Sequence, residues 1–139
     1  MRLTILTLAH DVYFSEPGNL LNLTGIYTGL TSPTFPFTVP KLLLIARFTG
    51  SPAEYGRDFE IIVNLVDQNG LPGPIPSDRQ LLHMTTGQSG EDVHCVYRLE
   101  AFDTTFTQAG WYQFFVHVDG AIIDELPVNV SQSVRRSDG

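Results

Sequence analysis

Ala109-Gly110-Trp111-Tyr112-Gln113-Phe114-Phe115-Val116-His117-Val118-Asp119-Gly120 is the stretch whose reading decides the fold. Tyr112, Phe114 and Val116 alternate with Gln113, Phe115 and His117, and a period of two places the first set on one face of a strand. Asp119-Gly120 supplies a turn, because glycine takes a positive φ without steric penalty. The returning strand runs from Ala121 to Val130, with Ile122, Leu126, Val128 and Val130 in one parity. The segment therefore opens the final β-hairpin of a sandwich.

Parity tests the turn. A two-residue Asp119-Gly120 loop pairs Val118 with Ala121, Phe114 with Glu125 and Tyr112 with Pro127, setting an apolar face beside a polar one. A three-residue loop, Val118-Asp119-Gly120, pairs Val116 with Ile122 and Tyr112 with Leu126. The apolar faces then coincide and only Asp124 is misplaced, so this register is preferred, with Gly120 left-handed. The competing account keeps the shorter turn and adds a bulge near Glu125-Leu126-Pro127, where Pro127 cannot donate to a ladder. Gly110-Trp111-Tyr112-Gln113-Phe114 also resembles the tyrosine corner of immunoglobulin-like sandwiches, with Phe114 in the inward core position. A strand that simply starts at glycine and carries alternating aromatics is the plainer alternative.

Working outward, strand-like runs recur at short intervals. Arg2 to Ala9 is apolar on both faces, and His10 to Gly18 is a connection with Pro17-Gly18 as its turn signal. Asn19 to Leu30 changes parity at Gly25, which predicts a β-bulge there. Ser32 to Pro40, with Pro33, Pro36 and Pro40, is an extended crossing with Phe35 and Phe37 tucked beneath it. Lys41 to Thr49 is a nearly continuous apolar run, hence a central strand. Ser51 to Tyr55 predicts one short helical turn capped by Ser51. Asp58 to Asp67 carries Phe59, Ile61, Val63 and Leu65 on one side, then Gln68-Asn69-Gly70 turns. Leu71 to Arg79 is an irregular loop, Gln80 to Thr86 a weak strand and Thr86 to Asp92 a polar loop. Val93 to Phe102 alternates cleanly, and Asp103 to Gln108 leads into the closing hairpin. The expectation is an all-β, antiparallel, immunoglobulin-like β-sandwich of about eight strands. Residues 1–131 form its single domain and 132–139 a polar tail.

Composition bounds the function. In 139 residues, 42% are hydrophobic and only 17% charged, which argues against global disorder. A net charge of −7 argues against nucleic acid and anionic membrane as partners. No apolar run reaches the roughly 20 residues of a membrane helix. One cysteine, Cys95, excludes an internal disulfide. Together with the lack of a signal-peptide pattern, it points to the cytoplasm. Asn22-Leu23-Thr24 and Asn129-Val130-Ser131 match the glycosylation pattern, but inside expected strands.

Leu6-Thr7-Leu8-Ala9, the run Gly18 to Gly29, Pro33-Thr34-Phe35-Pro36, Ser51-Pro52-Ala53-Glu54 and the Gly110–Gly120 hairpin resemble a family of short bacterial proteins of unknown function. The resemblance spans most of the chain. It implies a bacterial single-domain β protein and carries no activity or functional residues.

Candidate chemistry is sparse. His94 and His117 are expected on outward faces of neighbouring strands, where solvated histidines outnumber metal ligands; a metal centre needs several convergent groups. Cys95 shares parity with Tyr97 and Leu99 and reads as a buried thiol. Gly87-Gln88-Ser89-Gly90 lacks the spacing of a nucleophile elbow. Asp119, Asp124 and Glu125 lack the density of a calcium loop. No cofactor motif is present. If Tyr112 faces the core, Trp111 and Phe115 point the other way with Gln113 and His117, and aromatics beside polar groups suit a binding surface. Cover by the Pro-rich 32–40 segment is the competing reading.

The first expectation is a non-enzymatic module that works by protein–protein contact or self-association, using Trp111, Phe115, His117 and Phe35. A small-ligand or carbohydrate-binding module is the alternative, and asks for Trp111 and Phe35 on one concave surface. A hydrolase comes last, and requires His83, His94 or the acidic cluster to converge.

Overall fold

The structure, a computed structural model, describes residues 1–16, 20–84 and 93–133. Nine strands appear in order: β1 (Arg2–Ser15), β2 (Leu20–Ile26), β3 (Leu30–Ser32), β4 (Phe37–Gly50), β5 (Asp58–Val66), β6 (Asp78–His83), β7 (Val93–Phe106), β8 (Gly110–Val118) and β9 (Ala121–Gln132). They form a four-stranded sheet ordered β2-β1-β4-β7 and a five-stranded sheet ordered β3-β9-β8-β5-β6. The β-sandwich expected from the sequence is present. Every pairing is antiparallel except β3 with β9, which is parallel. One short 3-10 turn, Pro52–Glu54, follows β4, with the Ser51 N–H donating to the Glu54 carboxylate at 3.1 Å. Pro17-Gly18, the 86–92 loop with Gly87-Gln88-Ser89-Gly90, and the tail beyond Ser133 lie outside the described residues.

Alternation builds the interior. Phe59, Ile61, Val63 and Leu65 of β5 and Tyr112, Phe114 and Val116 of β8 face Leu42, Leu44, Ala46 and Phe48 of β4 and Tyr97 of β7 across the sandwich. The tyrosine corner is real: the Tyr112 hydroxyl donates to the Gln108 carbonyl at 3.0 Å. Burial, and then the nearby Asp67 charge, raise its phenol above the ordinary tyrosine range.

The closing hairpin corrects the preferred register. The loop has two residues, Asp119 and Gly120, both with positive φ (48° and 84°), the geometry whose twist matches the strands it joins. Val118 faces Ala121 and His117 faces Ile122, after which the register shifts so that Val116 faces Asp124 and Ile123 is the extra residue. The bulge restores phase: Phe114 faces Leu126 and Tyr112 faces Val128. It lies closer to the turn than Glu125-Leu126-Pro127. Ile122 is consequently not a core residue; it is 58% exposed.

Strand limits also differ from expectation. β1 runs on to Ser15, through what the sequence suggests is a connection, because β2 continues to pair with it (Asp11 with Thr24, Ser15 with Leu20). No extra residue is inserted at Gly25: its φ of 65° instead ends β2 soon after, and the chain crosses to the other sheet as β3. β4 begins at Phe37, inside the Pro-rich crossing. Pro40 is tolerated because β1 pairs with β4 only from Leu43 onward, leaving one edge of Phe37–Lys41 free of ladder bonds. β7 extends to Phe106, with Asp103 at φ 51° where its inward parity changes from Tyr97 to Thr104 and Phe106.

Leu42 to Ala46 are five consecutive buried residues, so β4 is apolar on both faces. On the side away from the main core, Leu43 and Ile45 are 1% and 0% exposed, covered by Val12, Leu21 and Leu23 of the β1–β2 hairpin and by Val96. The hairpin thus folds over the outer face of its own sheet. Asp11 ties it down: its carboxylate accepts from the Val12 N–H at 2.9 Å and meets Lys41 Nζ at 3.3 Å, and both contacts lower its pKa.

Candidate functional site

Burying Tyr112, Phe114 and Val116 forces Trp111, Gln113, Phe115 and His117 to the outer face of the five-stranded sheet. The same logic on β5 turns Glu60, Ile62, Asn64 and Val66 outward, and β6 adds Arg79 and Leu81. Register places Phe115 beside Asn64, His117 beside Ile62, Gln113 beside Val66 and Glu60 beside Leu81. Trp111 is 57% exposed, Leu81 is more so, and Phe115, Ile62 and Val66 are half-buried. None of these outward residues is covered by a described segment. The Pro-rich segment does not lie here: Phe35 and Phe37 pack against the main core instead.

Three pairs of polar groups on this face engage one another. His117 Nε2 lies 3.0 Å from Asn64 Oδ1, Arg79 pairs with Glu60 at 2.5 Å, and His83 Nδ1 lies 2.7 Å from Asp58 Oδ1. The other outward side chains are Trp111, Phe115, Ile62, Val66 and Leu81, with Gln113 beside Val66. Six residues separate Trp111 from His117, about 20 Å along the strand, and three strands span about 10 Å. The face so outlined covers on the order of 200 Å², with Gln113, Asn64 and Glu60 interleaved among its apolar residues.

Of the residues expected to form a site, Trp111, Phe115 and His117 are brought together on this face. Phe35 is not. It is half-buried in an interior chain of rings, edge-on to Phe37 at 5.2 Å; Phe37 stacks on Phe106, which meets Tyr112 edge-on. The concave surface joining Trp111 to Phe35 is therefore absent. Ile62, Val66 and Leu81 were the missed members. Their signal was the apolar content of the outward parity of β5, which Phe59, Ile61, Val63 and Leu65 overshadow.

The groups that chemistry would need are dispersed. His94 and His117, expected on neighbouring strands, sit in different sheets, on β7 and β8. His94 bonds Thr49 at 2.9 Å, while His83 bonds Asp58. Asp119 Oδ1 accepts from the Glu60 N–H at 2.9 Å, and Asp124 accepts from the Glu125 N–H. Cys95 Sγ contacts Met84 Sδ and the His83 carbonyl, both at 3.6 Å. Among the described residues no three His, Cys, Asp or Glu groups are placed to hold a metal ion. Two open clefts, of about 350 and 370 Å³, flank the 72–78 loop. The second reaches Tyr112, whose hydroxyl is committed to Gln108.

Residues 4–131 match a family of unknown function (DUF6941), and the chain belongs to that family. None of the curated proteins matches it. A solved glycosyl hydrolase family 2 member from Bacteroides cellulosilyticus DSM 14838 is similar with a TM-score of 0.40 and 18% identity. The similarity covers 75% of this chain and only 15% of that one.

Proposed function

We propose that this member of the DUF6941 family works as a protein-binding module, through the outer face of its five-stranded sheet and without chemistry of its own. The observation that carries the reading is the asymmetry between the two outer faces. Leu43 and Ile45 on one are sealed by the chain's own hairpin, whereas Trp111, Phe115, Ile62, Val66 and Leu81 on the other are left uncovered by any described segment. Aromatic anchors within a polar rim are the usual composition of an interface centre. Here the polar groups are interleaved as well as flanking: the His117–Asn64 pair lies among the apolar residues, Asn64 between Ile62 and Val66, and Arg79–Glu60 lies at the β6 side, both pairs already satisfied and cheap to leave partly wet.

The test uses the full chain as bait in a lysate of the source cell, alongside a Trp111→Ala/Phe115→Ser double variant and a Phe14→Ser control on the remote β1–β2 hairpin. Proteins recovered by the wild type and by the control, but lost with the double variant, are the expected result. Trp111 is the single tryptophan, so binding also shifts its emission to shorter wavelength. Equal recovery by the double variant, or no recovery by the wild type, overturns the reading.

A further inference from the structure

We infer that two copies of this chain pair edge to edge through β7, antiparallel about a two-fold axis at Leu99, joining their four-stranded sheets into one. This surface is separate from the outer face of the five-stranded sheet and does not depend on it.

The sandwich has four sheet edges. β3, three residues long, covers only Val130–Gln132 and leaves Ala121–Asn129 of β9 open, but that stretch is broken by the bulge at Ile123 and by Pro127; β6 is six residues long, and β2 belongs to the hairpin that folds over its own sheet. β7 is different. It is 14 residues long and pairs with β4 from Val93 opposite Gly50 to Phe106 opposite Phe37, with a break only at Asp103. Among the described residues no strand lies on its other side. Roughly half of its peptide groups thus point outward, the template that natural edges normally blunt with proline, lysine or a bulge. From Val93 to Phe102 the strand has none of these. Only Asp103, at φ 51°, interrupts it. The Pro74–Asp78 loop borders Leu99–Thr104 across an open cleft of about 350 Å³.

The sequence of the edge says what fits it. In an isologous pair, residue i opposite j requires j opposite i. With the axis at Leu99, Arg98 faces the partner's Glu100, and Glu100 faces the partner's Arg98. Val96 faces the partner's Phe102, twice over, so the exposed Phe102 (60%) gains an apolar neighbour. On the inner side Tyr97 faces the partner's Ala101, large against small. Opposite charges and apolar pairs directly across a ladder are the stabilising combinations. The two adjacent in-phase registers set Arg98 against the partner's Arg98, or Glu100 against the partner's Glu100. Odd shifts would set outward residues against inward ones. Within one copy Arg98 and Glu100 lie 3.6 Å apart on the same face, both exposed, so pairing produces a square of alternating charge without unfolding anything.

The test is sedimentation of the full chain over a wide concentration range, with charge exchange. Arg98→Glu and Glu100→Arg each place like charges opposite one another and should weaken the dimer about tenfold or more. The double exchange R98E/E100R restores the alternation and should restore association. Amide exchange supplies the location: protection should appear within Val96–Phe102 at dimeric concentrations. A wild type that stays monomeric at about 100 μM, single variants that dimerise as well as the wild type, or a double exchange that does not rescue, would overturn the inference. So would a dimer broken by Trp111→Ala/Phe115→Ser, which would assign self-association to the other face.

Discussion

Tyr97 spans the sandwich, and removing its hydroxyl should produce a stability loss that disappears at high pH. The side chain is fully buried on β7, and its hydroxyl donates to Asp78 Oδ2 on β6 at 2.6 Å, linking the two sheets. Burial, followed by the hydrogen bond and the charge of Asp78, holds the phenol protonated well beyond the ordinary tyrosine range. Tyr97→Phe keeps the ring and deletes the bond. A bond to a charged group contributes about 1.5–3 kcal/mol; Asp78 is half-exposed and keeps Gln80 Nε2 at 3.1 Å, so the expected loss near pH 7 is at the lower end, about 1.5 kcal/mol. Above pH 10 the unfolded chain ionises at its ordinary phenol pKa while the folded chain does not. The folded state then binds more protons, and its stability falls as pH rises. By pH 11 this removes about 1.4 kcal/mol from the wild type and nothing from the variant. The two stability curves should therefore converge. Urea unfolding followed by far-UV circular dichroism between pH 7 and 11 reads both. Tyr112 is present in both proteins and gives both the same alkaline slope. A gap that stays constant or widens with pH refutes the assignment.

The remaining predictions test the parts that positioned the site. Leu43→Ala should cost about 2–5 kcal/mol in urea unfolding because the hairpin seals that side chain, whereas Ile122→Ala should stay within about 0.5 kcal/mol. Equal costs would mean that the outer cluster or the hairpin register is wrong. Gly120→Ala should lower stability by about 1–2 kcal/mol from backbone strain alone, since a Cβ there would meet nothing within 4 Å. Tyr112→Phe should cost about 1 kcal/mol through the lost bond to the Gln108 carbonyl, which water can re-solvate at that exposed residue.

Alternation made β5, β7 and β8 legible, because each buries one parity against a partner sheet. The hairpin register was not, for a reason visible in the residues. Both turns could be made consistent with the apolar set, one by lengthening the loop and one by a bulge, and sequence parity counts them alike. What separates them is backbone: Asp119 accepts positive φ and its carboxylate caps the Glu60 N–H, which favours the two-residue turn. The continuation of β1 to Ser15 was hidden because His10-Asp11 and the Pro17-Gly18 turn signal make the segment read as a connection, although its partner β2 reads as a strand. Trp111, Phe115 and His117 followed from the parity of Tyr112 alone. Phe35 reads both as tucked beneath the Pro-rich crossing, where it lies, and as a surface aromatic, because a residue beside Pro36 has no period to betray its direction.

The two outer faces are unequal because their strands are. β4 is apolar at five successive positions, so no choice of orientation satisfies it without cover on both sides, and the β1–β2 hairpin provides the second cover. β8 and β5 interleave Gln113, His117, Glu60 and Asn64 with their outward apolar groups, enough polarity to stand in water and enough apolar surface to reward a partner. This division bears on the β7 edge. A two-fold axis through Leu99 runs perpendicular to the sheet, so paired copies keep their inner faces on the same side. Both five-stranded sheets, and both uncovered faces, then lie on that side. A dimer of this geometry would present two equivalent patches toward a multivalent partner, where the second contact is formed at the effective concentration set by the first.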